Sequence, residues 1–149
     1  MNNLWTNIND DIPMYMSEIC SKYNLVCAKI SPLKTAMIGN GFAIMIAIDR
    51  FNIEIYYLYK KDQEMLKYPC GSFFSQAYDG KDRENLLSGE GADIYIKNCL
   101  LITAKGLASK WKDVLAGDTK WLGIYKSSTR YAEEKLTDDE RKVFEKYFV

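Results

Sequence analysis

Lys34-Thr35-Ala36-Met37-Ile38-Gly39-Asn40-Gly41-Phe42-Ala43-Ile44-Met45-Ile46-Ala47-Ile48 decides the fold. Two β-rich runs flank a Gly-Asn-Gly triplet, and glycine and asparagine tolerate the positive φ that a tight hairpin turn demands. Closely spaced glycines can also cradle phosphate, but here the third glycine of G-x-G-x-x-G would fall on Ile44 and no helical pattern follows. Along 42–48, Phe42, Ile44, Ile46 and Ile48 share one face and Ala43, Met45 and Ala47 the other. Both faces are apolar, which predicts a central strand with something packed against each side.

Outward from this hairpin the period of two continues. Runs at 25–30, 34–38, 42–49 and 53–59 are β-rich and parted by turn residues, which predicts an antiparallel four-stranded meander. In the last run, Ile53, Ile55, Tyr57 and Tyr59 alternate with Glu54, Tyr56 and Leu58, giving a core face and a partly wet aromatic face. Before the meander, Ile12, Met16, Ile19, Cys20 and Tyr23 recur at helical spacing, so a helix is expected over 12–23, capped by Asp10 or Asp11 with Pro13 in its first turn. After it, 60–68 is polar and charged, 69–78 holds a short apolar piece of a turn or two, and 79–91 reads as a surface loop with a short helix at 83–87.

The C-terminal third is helical. Ile96, Leu100, Ala104, Leu107, Trp111 and Leu115 follow at intervals of four, four, three, four and four, the stripe of a long helix over 92–116 ended by Gly117 and buried across the sheet at its apolar centre, 99–102. A helix over 120–132, started by Asp118 or Thr119, comes next. The capping box Thr137-Asp138-Asp139-Glu140 then opens a last helix that packs through Val143, Phe144, Tyr147 and Phe148. The expected class is α+β, one domain over 1–149: an N-terminal helix, the four-stranded meander, and three or more C-terminal helices packed on the sheet.

Composition narrows the function mainly by exclusion. With 48% apolar and 27% charged residues in 149, the chain can build one core and is not disordered. Lys and Arg total 20 and Asp and Glu total 20, so no basic excess exists to release counterions and no nucleic-acid partner is expected. The absence of histidine removes Ser-His-Asp and Cys-His catalysis, His-ligated zinc and histidine-ligated haem, leaving Asp, Glu, Lys, Tyr and Cys for any chemistry. Cys20, Cys27, Cys70 and Cys99 form no C-x-x-C pair and have apolar neighbours, so they are read as structural thiols, with no metal and no cofactor. Residues 1–11 lack Lys and Arg, and the longest apolar stretch, 42–48, is far below the roughly 20 residues of a membrane helix. A cytoplasmic protein without a membrane partner is expected.

Acidic residues cluster twice. In the cluster Glu133, Glu134, Asp138, Asp139 and Glu140, capping and the helix dipole account for most of the charges. Asp79, Asp82, Glu84, Glu90 and Asp93 surround a glycine-bearing loop where the sequence shows no structural need for them, and no EF-hand spacing is present. Aromatic residues crowd 56–78; those that alternation leaves outside, Tyr56 and with it Tyr68 and Tyr78, would form a tyrosine patch of the kind enriched at interfaces. Lys105, Lys110, Lys112 and Lys120, mixed with Asp113 and Asp118, read as a solvated face. The expected binding residues are therefore Tyr56, Asp79, Asp82, Glu84, Glu90 and Asp93, with no catalytic set.

The helix-then-meander opening over 12–59, the acidic loop over 79–93 and the Trp111/Gly117-Asp118/Trp121 helical junction give the whole chain a style that resembles small bacterial immunity proteins. These neutralise the C-terminal toxin domains of contact-dependent growth inhibition and other polymorphic toxin systems. The resemblance implies an antitoxin, not an enzyme, a monomer or weak dimer whose rigid surface occludes the active site of a cognate toxin C-terminal domain. Acidic and aromatic groups would face a site that is often basic because it binds nucleic acid. The rival reading is a small-ligand-binding or enzymatic α+β domain using Tyr, Lys and carboxylate groups between sheet and helices.

Overall fold

The computed structural model describes residues 3–49 and 51–148. Strands β1 (Val26–Ser31), β2 (Lys34–Ile38), β3 (Phe42–Ile48), β4 (Ile53–Lys61) and β5 (Glu64–Pro69) form one antiparallel sheet in chain order. The hairpin at its centre closes through Gly39 N–H donating to the Phe42 carbonyl at 2.9 Å, with Gly41 at φ 80° and Ile38 opposite Ala43. Strand β3 is covered on both faces, as its sequence predicts: Phe42, Ile44, Ile46 and Ile48 enter one apolar core, Ala43 and Met45 another.

The four-stranded meander is corrected to five. Strand β5 occupies the stretch that reads as polar, and Asp62, at φ 58°, makes the turn into it. Its alternation is real: Leu66 and Tyr68 face the larger core and Met65 the smaller. Lys67 is buried on the smaller-core side, and its charge masks the period. Neither sheet edge offers a long free ladder, because β1 is bulged between Lys29 and Ser31 and the Glu134 N–H bridges to the Lys67 carbonyl at 3.0 Å on β5.

The larger core lies beneath most of the helices. The expected 12–23 helix is two helices, α1 (Asn3–Tyr15) and α2 (Ser17–Tyr23), broken at Met16. It begins earlier than Asp10 and Asp11, which cap nothing, and Pro13 sits near the end of α1. Proline removes the N–H that would meet the Asn9 carbonyl. Thr35 on β2 compensates: its hydroxyl is 2.9 Å from Asn9 Oδ1 and 3.4 Å from Asn9 O, while Asn9 Nδ2 donates to Ser31 O at 3.1 Å. Ile8, Ile12, Met16 and Ile19 carry one buried stripe through the break.

Helix α3 (Gly71–Ser75) sends Phe73 and Phe74 into this core. The long helix α4 (Ala92–Lys110) is shorter than its stripe predicts, since Trp111 leaves helical geometry at φ −127°, donates from Nε1 to Phe74 O at 2.9 Å, and starts α5 (Lys112–Leu115). Gly117, at φ 89°, then turns the chain. The centre of α4 is not buried all round: Leu100 is enclosed, but Cys99, Leu101 and Ile102 are half-buried, because α4 packs mainly along α1 and the 79–91 loop and meets the sheet chiefly at β4.

Helix α6 (Trp121–Lys126) also stops early. The Tyr125 hydroxyl accepts from Ala132 N–H at 3.1 Å and lies 3.1 Å from Pro69 O, and Ser128 Oγ donates to Tyr125 O at 2.7 Å, so side-chain bonds capture the backbone that would continue the helix. Helix α7 (Asp138–Tyr147) covers the opposite face of the sheet, where Phe144, Phe148 and Leu136 pack on Ala36, Ala43 and Met45. Among the described residues, no helix is long and apolar enough to cross a membrane.

Candidate functional site

The acidic loop is held from inside by its own carboxylates. Asp79 Oδ1 accepts from the backbone N–H of Lys81 at 3.0 Å and of Asp82 at 3.2 Å, and Asp82 Oδ2 accepts from Asp79 N–H at 3.0 Å. This reciprocal clasp wraps a single 3-10 turn at Lys81–Arg83, one turn ahead of the short helix expected at 83–87. From α4, Ser109 Oγ donates to Asp82 Oδ1 at 2.7 Å, and Lys110 Nζ reaches Asp82 at 3.0 Å and Asp79 at 2.8 Å. Asp82 is only 3% exposed. Burial pushes its pKa up, but the bonds from Ser109, Asp79 N–H and Lys110, with the lysine charge, outweigh that and hold the carboxyl at about 2. Beside it, the hydrogen bond from Lys110 holds the Asp79 carboxyl below its ordinary value.

Farther along, α4 grips the loop backbone twice more. Asn98 accepts from Leu87 N–H at 2.8 Å and donates to Leu87 O at 3.1 Å, and the Lys105 ammonium donates to Glu84 O. Asn85 at φ 58°, Gly89 at 119° and Gly91 at 112° supply the reversals between these anchors. Of the five carboxylates expected to bind, the structure thus places two in the frame of the loop. Glu84 and Glu90 are exposed, and Asp93 is half-buried in the first turn of α4.

Two apolar groups missed by the sequence reading share this surface. Leu87 is 44% exposed and Tyr95 is 53% exposed, one turn before Asn98 on α4. Tyr95 lies beside the buried Ile96 on the helix, off the Ile96–Leu100 stripe, and that position was the available signal.

Tyr56 does not join them. It packs at the margin of the smaller core, on the α7 side of the sheet, whereas α4 and its loop lie over the larger core on the opposite side. Its hydroxyl donates to Glu54 Oε2 at 3.3 Å and its ring lies under Lys67 Nζ, 4.5 Å from the centroid. Burial, then the charges of Glu54, Glu134 and Glu140, push its phenol above the ordinary value. Tyr68 is buried and Tyr78 rests against Gly106, so the tyrosine patch expected on the surface is largely packing.

The second acidic cluster has the structural role expected of it, with an addition. The capping box forms, Thr137 N–H donating to Glu140 Oε1 at 3.0 Å. Glu140 is fully buried and also takes Lys67 Nζ at 2.9 Å and Lys34 Nζ at 2.9 Å. Burial raises its pKa, but the two lysines and the Thr137 N–H reverse the sign and leave it lowered.

A cavity of about 430 Å³ opens between the start of β4, α3 and α4, with Glu54, Ser72, Arg83, Cys99 and Thr103 in its wall. Among the described residues, no group of three or more Cys, Asp or Glu is placed to hold a metal ion. No protein-family model, curated protein or solved structure gives a significant match to the chain.

Proposed function

We propose that the chain is an immunity-type inhibitor that binds the C-terminal domain of a cognate bacterial toxin and occludes its active site. Its contact is the outer surface of the 79–91 loop and the first turns of α4: Glu84, Glu90 and Asp93 with Leu87 and Tyr95. The supporting observation is how this loop is built. Asp79 and Asp82 bind loop N–H groups, and Ser109, Lys110, Asn98 and Lys105 tie the loop to one long helix. Merely keeping a loop in water needs no such frame; presenting carboxylates in fixed positions does, because a preordered surface loses less entropy on binding. Exposed Leu87 and Tyr95 supply an apolar and aromatic centre, and the carboxylates supply the charged margin that steers a basic partner.

Growth protection tests this. In a susceptible bacterium expressing the proposed cognate toxin domain, the wild-type chain is expected to restore growth. The Glu84→Lys/Glu90→Lys/Asp93→Lys variant, checked to melt cooperatively, is expected to lose protection. Full protection by that variant would reject the contact surface, and no protection by the wild type would reject the inhibitor role.

A further inference from the structure

The Cys20 and Cys27 Sγ atoms lie 3.3 Å apart, in contact and unbonded. Their closeness is set by the backbone. The Cys20 carbonyl accepts from both Asn24 N–H and Leu25 N–H, the latter at 3.0 Å, and Asn24 takes the left-handed conformation at φ 56° that reverses α2 into β1. Cys27 is then fixed in β1 opposite Met37. Both thiols are half-buried, so a small reagent can reach them, whereas Cys70 is fully buried.

We propose that Cys20 and Cys27 are a reversible modification site, a dithiol that closes to a disulfide by exchange with a low-molecular-weight disulfide. Cys27 attacks first: its thiolate bonds to one sulfur of the reagent, that S–S bond breaks, and one small thiol leaves with a proton. The Cys20 sulfur, already in contact, then attacks Cys27 Sγ as its thiolate, having given its proton to solvent, and expels the second small thiol. Two protein thiols and one small disulfide become one protein disulfide and two small thiols, and the reverse exchange regenerates the dithiol. Either sulfur can donate its S–H across the 3.3 Å contact. With Cys20 donating, Cys27 is held below the ordinary thiol value and Cys20 is pushed up, which makes Cys27 the attacking thiol, while burial pushes Cys70 up to about 12 and also raises Cys99. The closed form clasps α2 to β1 beside Lys22 and Tyr23, which line the groove along α4.

The test uses the full chain and oxidised glutathione. After exposure, alkylation under denaturing conditions and digestion with trypsin, which cuts after Lys22 and Lys29, the peptides carrying Cys20 and Cys27 are expected to stay joined until a reductant is added. Two of the four thiols should be lost to alkylation, with Cys70 and Cys99 retained. In Cys20→Ser, which removes the resolving thiol, Cys27 should accumulate as the mixed glutathione disulfide. Wild-type protein that keeps all its thiols alkylatable, stops at the mixed disulfide, or links a different pair would overturn the proposal.

Discussion

Asp82 carries more of the loop than any other carboxylate in it, because it is buried, doubly bonded to α4 and reciprocally clasped with Asp79. Its lowered pKa stabilises the fold only where the unfolded carboxyl would be ionised and the folded one already is. That contribution is present above the ordinary value near 4 and disappears as pH falls through about 2. Asp82→Ala should cost about 2 kcal/mol in urea denaturation at pH 7, and the gap from wild type should close between pH 4 and pH 2. A gap unchanged across that window would show that the ion pair is not its source. Lys67 and Glu140 make the opposite kind of test, since both are buried and Glu140, which also takes Lys34, is the nearest counter-charge of Lys67. Glu140→Ala strands the Lys67 ammonium and should cost about 3–5 kcal/mol, whereas Lys67→Met/Glu140→Met should recover most of it. Urea denaturation of the two variants checks the difference.

Among the elements, α7 draws on a local device and a packing device of different size. Its cap is worth about 1 kcal/mol and its buried Phe144 about 3 kcal/mol, so Phe144→Ala should shift the urea midpoint about three times as far as Thr137→Ala. How legible each element was in the sequence follows the same physics. The Gly39–Gly41 hairpin and the Thr137 capping box are local: their bonds run between residues a few positions apart, and both are found where the sequence places them. Strand β5 is hidden because the partner of Lys67 lies on α7, far along the chain. Helix α4 ends early because Trp111 reaches the Phe74 carbonyl and the ring of Trp121, contacts that no helical period encodes. The loop carboxylates divide in the same way. Nothing in Asp79-Gly80-Lys81-Asp82 announces that Ser109 and Lys110 take Asp82 inside while Glu84 stays outside, and strand alternation alone leaves Tyr56 on whichever face the neighbouring helices select.

At the scale of the whole molecule, the sheet is closed on both faces. The larger core takes α1 to α6 and the smaller takes α7, so the framed acidic loop stands on the helical layer over the larger core. Tyr56 lies on the far side of that layer. A partner seated on the loop would leave Tyr56 in water, and the two regions make separable predictions. Titration calorimetry of the purified chain against the toxin domain proposed as its partner compares them directly. Glu84→Lys/Glu90→Lys/Asp93→Lys should weaken the complex about a hundredfold and flatten its dependence on salt, while Tyr56→Ala should leave affinity within about threefold. Undiminished binding by the triple variant, or a greater loss from Tyr56→Ala, would contradict the account.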